Sequence, residues 1–118
     1  MQNQKVRNHV MRVIDSWLDY TFGPLYHIAF RIRFSQYCND VYELVINDPQ
    51  TFYMLLVKVL GSELLANSFL ATLIAFSRKL GMNNPPTSEE LISWFKGNEK
   101  DKVVSFINHL AKYLSKPK

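Results

Sequence analysis

Few residues in this 118-residue chain have the chemistry to make or break a bond. The nucleophile and metal-ligand types are Cys38 and three histidines, His9, His27 and His109. No histidine has a second ligand at zinc spacing, and Cys38 stands alone. A reactive thiol needs a base beside it, so a Cys38–histidine pair would depend on the fold to create it. The carboxylate pairs Asp15/Asp19 and Glu89/Glu90 have local explanations, a solvated helix face and a capped first turn. Glycines occur singly, which excludes a Walker loop and a Gly-x-Gly-x-x-Gly turn. We therefore expect no catalytic residue, no cofactor and no metal.

Binding chemistry is better represented. Lys102, Ser105, His109, Lys112 and Lys116 recur at i, i+3, i+7, i+10 and i+14. On a helix that spacing forms one stripe, able to follow a phosphate backbone or dock an acidic partner. A solvated face that keeps the chain in solution would read the same way. The charge balance adds weight. Residues 96–118 hold six lysines against Glu99 and Asp101, which accounts for the whole net charge of +4.

A second candidate is aromatic. Tyr20, Phe22, Tyr26, Phe30, Phe34, Tyr37 and Tyr42 are interleaved with His27, Arg31 and Arg33. Large rings with cationic neighbours can stack nucleic-acid bases. They can equally fill a core, which is the reading preferred here. Arg31 and Arg33 are the groups that would serve a nucleic acid. A helix-turn-helix over Leu91 to Leu110 is weakened by polar Lys96 and Asn98 beside Gly97, and by Glu99 and Asp101, which repel phosphates.

The elements that must position these groups are helices. Gly23, Gly61, Gly81 and Gly97 each follow a helix-forming stretch, the placement of a left-handed C-terminal stop. Residues 4–20 carry apolar residues at 6, 10, 13, 14, 17 and 18, one stripe of a 3.6-residue period. Residues 25–38 are ambiguous. Phe30, Phe34 and Tyr37 form a helical stripe with Leu25, Ile28 and Ile32 on another side, yet 30–34 also alternates like a strand. Helix is preferred, because no second strand exists to pair with it. Asp40 caps a short helix 41–46. Asp48-Pro49 starts a helix to Leu60, and Ser62 starts another from Glu63 to Leu80. Thr87-Ser88-Glu89-Glu90 is a capping box for Ser88 to Lys96. The last helix, Glu99 to Ser115, puts Val103, Phe106, Ile107, Leu110, Tyr113 and Leu114 on one face.

The expectation is an all-α domain over 1–118, a compact bundle of five to seven helices with the apolar helix 63–80 at its centre. Hydrophobic residues are 47% and charged residues 20%, an ordinary globular composition. The longest uncharged run, Leu64 to Ser77, has fourteen residues, against about 20 for a bilayer span, so a cytoplasmic protein without a membrane segment is expected. Ser68, Ala71 and Ala75 form a small-residue stripe that would let another helix come close.

The segment DPQTFYMLLVKVLG, 48–61, resembles a pattern of small all-helical archaeal domains of unknown function, some proposed as output domains of signalling proteins. The matching positions are Asp48, Pro49, Phe52, Leu55, Leu56, Val59, Leu60 and Gly61, and the likeness extends over residues 6–80. The resemblance implies a regulatory or binding role and brings no catalytic residues with it. Combined with the low charge of 49–80, the expectation is a non-enzymatic regulatory or protein-interaction module that self-associates, as a homodimer or with another protein. The alternative is nucleic-acid binding through the basic C-terminal helix. A third is a small-molecule site among the aromatics of 20–42.

Overall fold

Four helix starts are held by the side chains that the sequence puts there. Asp40 accepts from the backbone N–H groups of Tyr42 and Glu43, and Asp48 from that of Thr51. Ser62 accepts from Leu65, while Thr87 and Glu90 exchange bonds in a full capping box. Each satisfies donors that a helix N-terminus otherwise leaves open. The computed structural model describes residues 2–115. They form α1 (Gln2–Phe22), α2 (Pro24–Ser35), α3 (Val41–Asn47), α4 (Pro49–Leu60), α5 (Glu63–Lys79), α6 (Ser88–Lys96) and α7 (Lys100–Ser115). No strand occurs among the described residues, and 30–34 lies within α2.

Glycine placement holds at one corner and fails at another. Gly61 ends α4 with φ of 100°, a left-handed conformation that costs a residue with Cβ. Gly97 was expected in the same role after α6, but its φ is −88°. Asn98 takes the left-handed position instead, at φ 56°. Asparagine tolerates that region, and here its Oδ1 also accepts from the Gln50 backbone N–H at 3.2 Å. Gln50 Nε2 donates to the Lys96 carbonyl at 3.0 Å. The α6–α7 turn is therefore tied down on the start of α4.

α1 packs against α2, α3, α5 and α7, most extensively against α7. α6 closes the other side, against α4, α5 and α7. Fully buried Leu18, Phe34, Leu56, Leu70, Leu91, Ile107 and Leu110 draw the core from six helices. A run of rings stitches it together. Phe22 stacks on Phe69 at 5.2 Å, Phe69 on Phe30 at 5.4 Å, Phe30 on Phe34 at 4.5 Å, and Phe34 on Phe52 at 5.4 Å. Phe52 then meets Phe95 at 5.7 Å. Of the aromatic-rich segment, Phe30, Phe34 and Tyr42 are buried and Phe22 is half-buried, while Tyr20, Tyr26 and Tyr37 are exposed.

α4 and α5 meet at 117°, and no single helix is long and apolar enough to cross a membrane. α5 buries Ala66, Phe69, Leu70, Leu73, Ile74 and Phe76. Its other side, with Leu64, Leu65, Ser68 and Ala75, faces solvent. The helix expected at the centre of the bundle has an uncovered face.

Candidate functional site

The junction of α1, α2 and α3 holds a network of charged and polar groups. His27 is nearly buried, with 12% of its side chain exposed. Its Nδ1 donates to Asp19 Oδ1 at 2.8 Å. Its Nε2 lies 3.2 Å from Asp15 Oδ1 but makes no hydrogen bond there. Asp15 accepts instead from the Tyr42 hydroxyl at 2.7 Å. Asp15 and Asp19 were read as a solvated helix face; they hold the start of α2 and the ring of Tyr42. Four residues apart on α1, they point the same way, and the fold sets a histidine between them.

Arg7 completes the network. Its guanidinium donates to Asp40 at 2.9 and 2.8 Å and stands 5.5 Å from the Tyr42 ring centre, as Arg31 also does. Burial alone would raise the Asp40 carboxyl, but the Arg7 bond and charge and the N-cap bonds hold it below the usual carboxylate range. Burial, then the bond to Asp15, pushes the Tyr42 hydroxyl well above the ordinary phenol range.

Cys38 is not activated by this network. Cys38 lies in a cleft of about 160 Å³ with Arg7, Arg31, Asp40 and Tyr42, and no histidine lines it. Its thiol bonds to the Phe34 carbonyl at 3.6 Å, and burial raises its pKa, the opposite of an activated nucleophile. Among the described residues no group of His, Cys, Asp and Glu side chains comes together as a metal site.

The basic candidates fall into two places. Lys102, Ser105, His109 and Lys112 are exposed on one face of α7, opposite buried Val103, Phe106, Ile107 and Leu110. Lys102 Nζ lies 3.3 Å from Glu99 Oε1, and the His109 ring lies 5.5 Å from that of Tyr113. Lys102 and His109 also line an open groove with Trp94, Asn83, Asn84 and Asp101. Lys116 lies outside the described residues. Arg31 and Arg33 are exposed on α2, which packs on α1, α3 and α4, whereas α7 packs on α1, α3 and α6. They do not extend the lysine stripe.

The arginines frame something else. α2 buries Phe30 and Phe34 and turns Leu25, Ile28 and Ile32 outward, 84%, 56% and 58% exposed. At 100° per residue those three, with exposed Ala29, make one crest opposite the phenylalanines. Arg31 falls on one flank of the crest and Arg33 on the other. Beside the crest, Phe22, Tyr26, Leu60, Leu65, Ser68 and Phe69 shape an apolar groove of about 360 Å³ along α5. Every large hydrophobic residue exposed among the described residues lies in α1, α2, the turn after it, α4 or α5, and none in α3, α6 or α7.

The signal for this surface was present in the sequence. Leu25, Ile28 and Ile32 stood out as a second apolar stripe on α2, more than one short helix can bury. They carry no reactive or charged group. Comparison with protein-family models, curated proteins and solved structures finds no match for this chain.

Proposed function

We infer that this chain is a non-enzymatic regulatory or protein-interaction module that associates with copies of itself. One observation carries the reading, the α2 crest of Leu25, Ile28 and Ile32, which the described residues leave exposed. Fully burying a leucine or isoleucine stabilises by about 1.5–3 kcal/mol, so a crest held in water favours any contact that covers it. Contiguous apolar exposure of this kind marks interaction sites on monomers. The resemblance of 48–61 to small all-helical archaeal domains of unknown function, some of them proposed as signalling output domains, supports a regulatory role. Sedimentation velocity across micromolar concentrations tests it. The average mass should rise with concentration, and Ile28→Lys should hold the protein monomeric with unchanged helix content. A parent protein that stays monomeric throughout overturns the reading.

Nucleic-acid binding is the second reading, favoured by the exposure of Lys102, His109 and Lys112 on one face of α7. Glu99 and Asp101, at and before its first turn, work against it, and Lys102 is already paired with Glu99.

A further inference from the structure

We propose that the associated form is a two-fold pair in which the α2 crest of each copy lies in the α5 groove of the other. This rests on the self-association reading and names its geometry.

The groove is shaped for an apolar helix. Phe22, Tyr26, Leu60, Leu65 and Phe69 line it. One of its hydroxyl groups, that of Thr72, is already satisfied. The Thr72 hydroxyl accepts from Trp17 Nε1 at 2.9 Å and donates to the Phe69 carbonyl at 2.6 Å. An occupant therefore needs no hydrogen-bonding partner for it. The outer face of α5 repeats Leu64, Ser68, Ala71 and Ala75 at i, i+4, i+7 and i+11. Small side chains there let a second helix lie close, since interhelix distance follows the side chains at the contact.

Charge selects the groove over a second crest. α2 carries Arg31 and Arg33 and no acidic residue. Crest against crest would gather four arginines with no acidic residue of α2 to balance them. The α5 face from Leu64 to Ala75 has no charge at all. A crest laid there keeps its arginines at the rim, in water.

Area and symmetry agree. At 1.5 Å per residue α2 is about 18 Å long and α5 about 26 Å, each about 10 Å across, so the two strips cover on the order of 400 Å². That matches the larger apolar patches of monomers, which are about 300–600 Å². A reciprocal pair covers crest and groove on both copies, while a single contact would leave half of that apolar surface in water. This places the pair at the low end of specific interfaces, so it should be weak and concentration-dependent. Crest and groove also adjoin, because Leu25 begins one and Tyr26 lines the other. A two-fold axis along this edge engages both contacts at once and closes the assembly at two.

Two single-thiol variants test the arrangement without relying on affinity. In a Cys38→Ser background, Ile28→Cys marks the crest and Ser68→Cys the groove. Both sites are exposed, so folding should be unaffected. An oxidised equimolar mixture should give mainly the mixed disulfide, with little of either homodisulfide. A product dominated by the Ile28→Cys homodisulfide overturns the groove and leaves self-association standing, through paired crests. Separately, Ser68→Arg should abolish concentration-dependent pairing, and a Ser68→Arg protein that pairs like the parent overturns the proposal. A parent that is monomeric in sedimentation removes the underlying reading as well.

Discussion

His27 Nδ1 lies 2.8 Å from Asp19 Oδ1, across the Gly23-Pro24 corner between α1 and α2. This bond bridges eight residues and fixes the direction in which α2 leaves α1. It also sets a donor between two carboxylates that would otherwise repel at i, i+4. His27→Ala should destabilise by about 1.5–3 kcal/mol, the range for a hydrogen bond to a charged group. Urea denaturation of the two proteins measures it, and equal midpoints would show that the corner needs no tether.

Phe69 meets three rings in the core. Trp17, Phe22 and Phe30 lie 4.9, 5.2 and 5.4 Å from it. Phe69→Ala should cost about 3–5 kcal/mol through lost burial and the cavity left behind. A domain of this kind has about 5–15 kcal/mol in total. We expect thermal unfolding shifted far down, with Phe69→Leu between the two; a shift no larger than that of a surface variant would refute the role given to this ring.

Asp40 links stability to acid. Its folded pKa is lowered, so the unfolded carboxyl binds the proton first as pH falls. Its contribution is present above the unfolded value of about 3.9 and is lost as pH drops through the lower folded value. Asp40→Asn keeps an N-cap oxygen and removes the charge. The variant should be up to about 1 kcal/mol less stable at neutral pH, as for exposed pairs, and should lose less on acidification. Parallel acid titrations followed by circular dichroism decide; curves of the same shape exclude the Arg7–Asp40 pair as the cause.

The corner at Gly61 is a backbone matter. At φ 100° nothing lies within 4 Å of where a Cβ would stand, so space is no obstacle. Gly61→Ala should still cost about 1–3 kcal/mol from the left-handed conformation alone. A chemical denaturation curve that does not move would mean the α4–α5 corner relaxes freely.

For α7, charge reversal separates the two functional readings. If the lysine stripe binds nucleic acid, parent binding should weaken steeply with salt, and reversing Lys102, Lys112 and Lys116 to glutamate should abolish it. Fluorescence anisotropy with a labelled duplex and a labelled single strand reports both. Binding that survives the triple reversal, or none at low salt, disposes of the α7 reading.

Helix positions were legible because their signals are local. Asp40, Asp48, Ser62 and Thr87 act within three residues of themselves, and apolar periodicity needs only one turn of neighbours. Asn98 was not legible, since its left-handed turn is held by Gln50, forty-eight residues away. The same distance hid the pairing of Asp15 and Asp19 with His27 and Tyr42, which looked like solvated acids from one helix alone. The low charge of 49–80 suits burial, and Phe52, Leu56 and Leu70 are buried. Met54, Leu64 and Leu65 are not, because a helix on the rim of a small domain has only one side to hide. The basic face of α7 was visible in the spacing. The apolar crest of α2 was visible only as a surplus whose use depends on what else packs nearby.

The first helix and the last, α1 and α7, make the most extensive contact in the fold, with His9 Nδ1 3.0 Å from Asn108 Oδ1 near one end of it. Joining two helices so far apart in sequence closes a long loop, so this contact carries a larger entropic cost than the corners at Gly61 and Asn98, whose own turns are local. The corners can form from neighbouring residues alone, while the seam between α1 and α7 needs the rest of the fold to bring its two halves together.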